Sequence, residues 1–353
     1  MGARVVVGMS GGVDSSACAA LLQRQGWDVV GVTLHLWDYQ REGHAGRCCA
    51  PEDQYDAARV CEHLGVPHFT FDRRELFRAQ VVDPFVDDYL AGRTPSPCVR
   101  CNESVKLGPL WEIAQRLGAD AIATGHYARI AVDATGIHLR QGADGAKDQS
   151  YFLWAAPTEA LRNLVLPLGE LSKPEVRAIA ADAGLRNAAK PDSVDLCFLE
   201  GRGYRDFVAD RAPAAARPGT IEGVDGAVLG THDGVHGFTP GQRRGLGAGG
   251  APRYVLRTIP ARGVVVVGDD AATRLPEARL VGFRWVAGER PSSVRARIRY
   301  RHEGVGATVE TLDDGAALLR FAAPQRGVAP GQAAVLYDGD RVVAGGWIAE
   351  EAS

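Results

Sequence analysis

Three short stretches near the start of the chain are apolar with almost no polar interruption: RVVVG from Arg4, DVVGVTLHLW from Asp28 and PHFTFD from Pro67. Each is β-branched or aromatic and bounded by turn residues, as expected of strands covered on both faces. Between them the pattern changes to a helical one. SSACAALLQRQG runs to a stop at Gly26, and PEDQYDAARVCEHLG opens on Pro51 and stops at Gly65, a Pro-in, Gly-out signature. RELFRAQVVDPFVDDYLAG predicts a further helix. NESVKLGPLWEIAQRLG predicts another, starting just after Cys101, and ADAIATGHYARI predicts a buried strand with a polar exit. Alternating strands and helices predict an α/β doubly wound parallel sheet, which binds ligands at the carboxyl ends of its strands.

The pattern shifts after about Arg211. RAPAAARPGTIEGVDG is rich in Pro, Ala and Gly and reads as a linker. Beyond it come short strand-like runs separated by Gly and Asp turns, among them GVVVVGDD, SSVRARIRYR, GATVETLDDG and QAAVLYDGDRVVAGGWIAE. The expected division is therefore an α/β domain over 1–210, a small central domain over 211–274 and a C-terminal β-barrel over 275–353.

With 353 residues the chain has room for two or three domains, and 43 glycines predict many tight turns. A net charge of −3 means that any nucleic-acid site is a local patch and not a global field. No apolar run approaches the roughly 20 residues that cross a bilayer. The N-terminus reads as a strand and not as a signal peptide, so a cytoplasmic location is expected. Seven cysteines, an odd number, argue against a disulfide framework. Cys18 and Cys61 fall in helical segments and are expected in the core. Cys48 and Cys49 are expected to be mainly structural.

The first chemical motif is VVVGMSGGVDSSA, with Gly8, Met9, Ser10, Gly11, Gly12, Val13, Asp14 and Ser15 linking a strand to a helix. Glycines let the backbone approach a phosphate, and the helix offers free N–H groups and its positive dipole end. Ser10 and Ser15 add hydroxyls. Asp14 repels bare phosphate, which points to Mg²⁺ between them. The loop has no Lys of the G-x-x-x-x-G-K-[ST] kind, so it is not a Walker A loop. It resembles the PP-loop of the N-type ATP pyrophosphatases, which implies ATP cleavage between the α- and β-phosphates and adenylation of a carbonyl-type oxygen. GLGAGG, Gly245–Gly250, matches G-x-G-x-x-G, but no strand precedes it and Pro252 follows, so no dinucleotide site is expected there.

The second motif is GRTPSPCVRCNESVK, with Cys98 and Cys101 in C-x-x-C spacing. A predicted helix start beside Cys101, together with Arg100 and Lys106, favours its thiolate. Cys197 lies in AKPDSVDLCFLEG, a polar loop that also holds Lys190.

As a whole the chain resembles the bacterial tRNA-specific 2-thiouridylases, sulfurtransferases acting on tRNA uridine. The resemblance rests on GMSGGVDSS, GRTPSPCVRCNESVK, ATGHYARI, KDQSYFLW, LGELSKPEVRAIA, DSVDLCFLEG, FTPGQRRGLG, RIRYRHEG and PGQAAVLYDGD, in one order. It implies a PP-loop domain, a small central domain and a C-terminal β-barrel. It places ATP on Gly8 to Ser15, with Leu34 and Gly125 lining the adenosine pocket. It makes Cys197 the persulfide carrier and Cys101 the nucleophile, which end the cycle as a disulfide. It implies that the substrate is U34 of tRNAs for Lys, Glu and Gln, and that a cysteine desulfurase or relay protein donates the sulfur. It puts Ser96, Pro97 and Cys98 near the base, and His126, Lys147, Asp148, Gln149, Arg299, Tyr300 and Gln332 near the tRNA.

VRARIRYR adds a reading of its own. In a continuous strand, Arg295, Arg297, Arg299 and Arg301 would share one cationic face suited to a phosphate backbone. Two alternatives remain at this point. Cys98, Cys101 and Cys197 could instead hold a [4Fe–4S] cluster with an open iron site. An amide-forming PP-loop ligase would leave these cysteines without a use.

Overall fold

The computed structural model describes residues 2–38, 51–191, 196–199, 201–246, 251–288 and 290–350. Cys48, Cys49, residues 192–195 of the loop before Cys197, and 247–250 of GLGAGG lie outside the described residues.

The first sheet contains β1 (Arg4–Gly8), β2 (Asp28–His35), β3 (His68–Asp72), β4 (Ala121–Ala123) and β7 (Leu164–Val165), in the order β3-β2-β1-β4-β7. Its neighbouring pairs are all parallel. Val5, Val6 and Val7 of β1 are fully buried. Their alternation feeds two cores: Val6 packs with Leu110 and Ile113, while Val5 and Val7 pack with Ala17 and Val176. That two-sided cover explains why the strand shows no polar positions. α1 (Val13–Arg24) and α2 (Pro51–Leu64) match the two helices expected from their Gly stops. RELFRAQVVDPFVDDYLAG is helical but broken into α3 (Arg74–Phe77), a π-helical turn Arg78–Val82, and α4 (Asp83–Leu90).

Two elements differ from the expectation. ADAIATGHYARI is not one strand. β4 ends at Ala123, the chain turns through Thr124–Tyr127, and β5 (Ala128–Asp133) pairs with β6 (Gly136–Gln141) in a different sheet. The helix after the C-x-x-C begins earlier than Asn102. α5 (Pro97–Cys101) opens on Pro97 and runs through a π-helical turn Asn102–Lys106 into α6 (Leu107–Arg116). Pro97 fits the first helical turn, where its missing N–H costs no hydrogen bond.

Three more helices complete the described set: α7 (Thr158–Arg162), α8 (Lys173–Asp182) and α9 (Tyr204–Arg211). The central sheet contains β8 (Gly219–Gly223), β9 (Val228–His232), β10 (Tyr254–Ile259) and β11 (Val264–Gly268) in the order β10-β11-β8-β9. The C-terminal region contains β12 (Arg274–Trp285), β13 (Ser293–Arg297), β14 (Val305–Thr311), β15 (Ala317–Arg326), β16 (Ala333–Asp338) and β17 (Arg341–Ile348). Pairing of β12 with β17 closes these six strands into a barrel, and the β5–β6 hairpin extends it through β17.

The barrel shares a core with the parallel-sheet domain. Val335 and Tyr337 belong to the same apolar cluster as Val6, Leu110 and Trp154. Trp154 is fully buried against Gly345, where a Cβ would lie 2.3 Å from the indole. Only glycine allows that approach. Arg284 of β12 donates to the carbonyls of Trp154 and Ala156 at 2.5 and 2.6 Å. The barrel is thereby seated on the segment that follows β6.

Candidate active site

The loop between β1 and α1 folds on its own hydroxyls. Ser15 Oγ donates to the Gly12 carbonyl at 3.1 Å and accepts from the Ser10 N–H at 3.2 Å. Ser16 Oγ donates to the same Gly12 carbonyl at 2.9 Å. Gly11 has φ of +75° and packs directly on the backbone of α2. Gly125 packs as closely from the turn after β4: a Cβ there would lie 2.7–2.9 Å from backbone atoms of Asp14 and Ser15. Gly125 therefore shapes the loop itself. Leu34 is partly buried among core side chains at the end of β2.

Two lysines converge on this loop. Lys173, at the start of α8, places Nζ 2.7 and 2.8 Å from the two carboxylate oxygens of Asp14. The Tyr127 hydroxyl donates to the same carboxylate at 2.8 Å. Lys190 donates to Asp53 at 2.5 Å, to Asp56 at 2.7 Å and to the Gly11 carbonyl at 3.4 Å. Burial alone would lower the Lys190 pKa, but its bonds to Asp53 and Asp56 outweigh that and raise it.

A cleft of about 1020 Å³ starts at this loop and runs to the barrel. Ser10, Gly12, Val13 and Asp14 line one end. Ser96, Pro97 and Cys98 line its wall, with Leu196, the neighbour of Cys197, also on it. Lys147, Arg295, Tyr300 and Arg301 bring positive charge and an aromatic ring to the far side.

The two cysteines of C-x-x-C occupy different environments. Cys98, in the first turn of α5, is exposed, whereas Cys101, at its end, is buried. Burial pushes the Cys101 thiol up to about 11; Lys106 pulls it down and Cys98 adds to the rise. This corrects the thiolate expected from a helix start at Asn102: the helix N-terminus belongs to Cys98, and desolvation outweighs the Lys106 charge. Cys197 packs at the edge of an aromatic cluster containing Phe77, Phe85 and Phe198, and Cys101 belongs to the same cluster. Cys18 and Cys61 are buried, and burial raises both thiols.

This difference has a direct readout. Brief iodoacetamide treatment at pH 7.5, followed by peptide mapping, should modify Cys98 well before Cys101. Cys101 labelling should rise about tenfold per pH unit up to pH 9.5 without levelling, because only the thiolate reacts. Equal labelling of the pair at pH 7.5 would contradict the burial of Cys101.

Three family models match the chain: "tRNA methyl transferase HUP domain" over residues 3–201, "tRNA methyl transferase PRC-barrel domain" over 205–269 and "Aminomethyltransferase beta-barrel domain" over 277–348. Relatives called tRNA-specific 2-thiouridylase MnmA are 51% identical in Sorangium cellulosum, 49% in Rhizorhabdus wittichii and 47% in Rhodospirillum centenum. Each alignment covers 98% of this chain and 91–92% of the relative. The chain belongs to the tRNA-specific 2-thiouridylase family.

Within this 2-thiouridylase, Lys147, Asp148, Gln149, Tyr300 and Gln332 of the expected RNA-facing residues line the cleft, whereas His126 and Arg299 do not. Asp148 is buried and accepts from Arg297 at 2.8 Å, from Gln141 at 3.0 Å and from the N–H groups of Gly142 and Ser150. It holds the barrel to the loop after β6. Gln149 Oε1 accepts from the Tyr127 N–H at 2.9 Å, bracing the turn that carries the Asp14 partner. His126 is hydrogen-bonded to Thr124 at 2.7 Å. Burial and the Lys106 charge lower its pKa to about 3, so it is neutral at physiological pH.

The four-arginine face is overturned. β13 ends at Arg297, and residues 298–301 form a turn. Arg297 is 8% exposed and pairs with Asp148, while its guanidinium donates back to the carbonyls of Tyr300 and His302. Arg295 is committed to Gln141 and the Glu303 carbonyl. Arg299 is exposed and donates to the Arg326 carbonyl at 3.2 Å.

Among the described residues no three His, Cys, Asp or Glu side chains converge to hold a metal ion. Cys98, Cys101 and Cys197 therefore do not form a cluster seat in this arrangement. Asp14 faces a lysine and a tyrosine where Mg²⁺ was expected, so no step is assigned to either group. The residues that sequence reasoning passed over are Lys173 and Tyr127. Lys173 opens α8, whose start is capped where Glu175 accepts from the Ser172 N–H and hydroxyl.

Proposed function

We propose that this enzyme 2-thiolates the wobble uridine, U34, of tRNAs for Lys, Glu and Gln, using ATP and a cysteine persulfide. The observation that carries the reading is one continuous cleft joining the phosphate-type loop, the Cys98 wall and a cationic rim. The names of the relatives support tRNA as substrate and uridine C2 as the site of thiolation.

The Ser10–Ser15 loop and the start of α1 bind the ATP phosphates. Uridine O2 attacks the α-phosphorus; the α–β bridge breaks and pyrophosphate leaves. The terminal sulfur of a Cys197 persulfide then attacks C2, and the C2–O bond to AMP breaks. The Cys101 thiolate attacks Cys197 Sγ, breaking the S–S bond, leaving sulfur on C2 and forming a Cys101–Cys197 disulfide. An external thiol restores the pair, and a sulfur-donor protein, a cysteine desulfurase or relay protein, reloads Cys197. Because Cys101 is buried and protonated in the described conformation, its step follows a change in its surroundings that exposes the thiol.

Purified enzyme is incubated with unmodified tRNA, ATP and a persulfide source, and thiolated tRNA is read by retardation on a mercury-containing gel. ATP-dependent retardation is expected. Its absence would sink the thiolation reading. Iron and labile-sulfide analysis of anaerobically purified protein runs alongside; iron-free, fully active enzyme excludes cluster-borne sulfur.

A further inference from the structure

The Thr94–Pro95 stretch that leads into Cys98 is held from outside. Pro95 and Pro97 lack N–H groups, so Thr94–Pro97 has few donors of its own, and its carbonyls need partners from elsewhere. The Ser96 carbonyl accepts locally from the Val99 and Arg100 N–H groups, but the partners of Thr94 and Pro95 come from the barrel, more than two hundred residues away. Gln332 Nε2 donates to the Pro95 carbonyl at 2.8 Å and to the Thr94 carbonyl at 3.1 Å. The Thr94 N–H donates to the Pro330 carbonyl at 2.7 Å. Gly331 has φ of +88°, and a Cβ there would lie 2.9 Å from the Thr94 oxygen. The Tyr151 hydroxyl, which bonds Ser96, donates to the Ala333 carbonyl at 2.8 Å. On the flanks, the Arg100 guanidinium lies 4.8 Å from the Trp347 ring centroid.

We propose that Gln332, which itself lines the cleft, is a positioning residue: it acts through the backbone of Thr94 and Pro95 to aim the Cys98 wall, whatever RNA it also touches. Both amide donors of its NH₂ group are used inside the protein. The Pro330-Gly331-Gln332 corner thus makes the barrel part of the active site, in addition to any RNA it binds. This rests on the thiolation reading above for its activity readout, but it also has a readout that needs no tRNA.

The test compares wild type, Gln332→Ala and Gly331→Ala, each checked for a wild-type-like melting curve. Gly331→Ala disturbs the same seat through a different atom. Two quantities are measured: the alkylation rate of Cys98 without tRNA or ATP, and kcat together with the tRNA Kd. Both variants should change Cys98 alkylation by at least about threefold. Gln332→Ala should lower kcat at saturating tRNA by roughly 10- to 100-fold, the scale of a misplaced reacting group. A Gln332→Ala enzyme with unchanged alkylation and unchanged kcat would overturn the proposal, whatever its Kd, and leave Gln332 an RNA contact at most. If wild type does not thiolate tRNA, the functional reading fails, and the alkylation comparison still decides the role of Gln332.

Discussion

Cys197→Ser and Cys101→Ser are each expected to reduce thiolation by on the order of 10⁴-fold or more, the scale seen when a covalent nucleophile is removed. Serine keeps the size of the side chain but cannot carry a persulfide or resolve one. Neither residue is among those lining the end of the cleft built from Ser10, Gly12, Val13 and Asp14, where ATP is proposed to bind. ATP affinity and tRNA-dependent release of pyrophosphate should therefore stay within about threefold of wild type. Cys98→Ser and Cys98→Asp should retain activity, because Cys98 is exposed on the cleft wall and has no assigned covalent step. The pattern separates the readings. If all three cysteines prove equally essential, a shared cluster becomes the better account. If either Cys101→Ser or Cys197→Ser keeps more than a few per cent of wild-type thiolation, the persulfide mechanism falls.

What was legible in the chain is what local sequence determines. β1 could be read because its valines are covered on both faces, and α2 because Pro51 and Gly65 bracket it. The Ser10–Ser15 loop was legible because its hydroxyls and glycines bond to one another within five residues. Pairings across long separations were not legible. Nothing near Asp14 announces Lys173, which is 159 positions away. Likewise, nothing within VRARIRYR distinguishes a solvated arginine from one paired with a buried carboxylate. Alternation in that stretch reports the pleat of β13 correctly as far as Arg297. There the guanidinium turns back onto the Tyr300 and His302 carbonyls and meets Asp148, which ends the strand. The environment of Cys101 escaped for a related reason. Its helix register depends on Pro97 being accepted at the first turn, and its burial depends on Phe85, Phe198 and Phe207 arriving from three separate segments.

Gly11→Ala is expected to remove nucleotide binding, whereas Gly12→Ala leaves the fold intact. The two glycines are neighbours in the same motif, but their backbones differ. Gly11 lies at φ +75°, where an L-residue costs roughly 1–2 kcal/mol. Its Cβ would also lie 2.1 Å from the Asp53 carbonyl oxygen and under 3 Å from Asp53 C and Cα. These are backbone atoms of α2, and they cannot swing aside as a side chain would. Lys190 ties Asp53 to the Gly11 carbonyl, and Asn187 donates to that carbonyl at 3.1 Å, so the contact is held from two further directions. Either α2 shifts or the loop flips, and both outcomes misdirect the N–H groups proposed to bind phosphate. A combined penalty of about 3 kcal/mol or more corresponds to at least about 100-fold weaker ATP binding. Gly12, by contrast, has φ −84° and ψ 162°, ordinary for any residue, and its Cβ would find only Ser10 Oγ, at 3.4 Å. Gly12→Ala should melt within about 1 °C of wild type, while Gly11→Ala melts about 5 °C or more lower. Calorimetric titration with a non-hydrolysable ATP analogue, beside the two melting curves, checks both halves. Wild-type affinity in Gly11→Ala would mean that the loop does not bind nucleotide through this geometry.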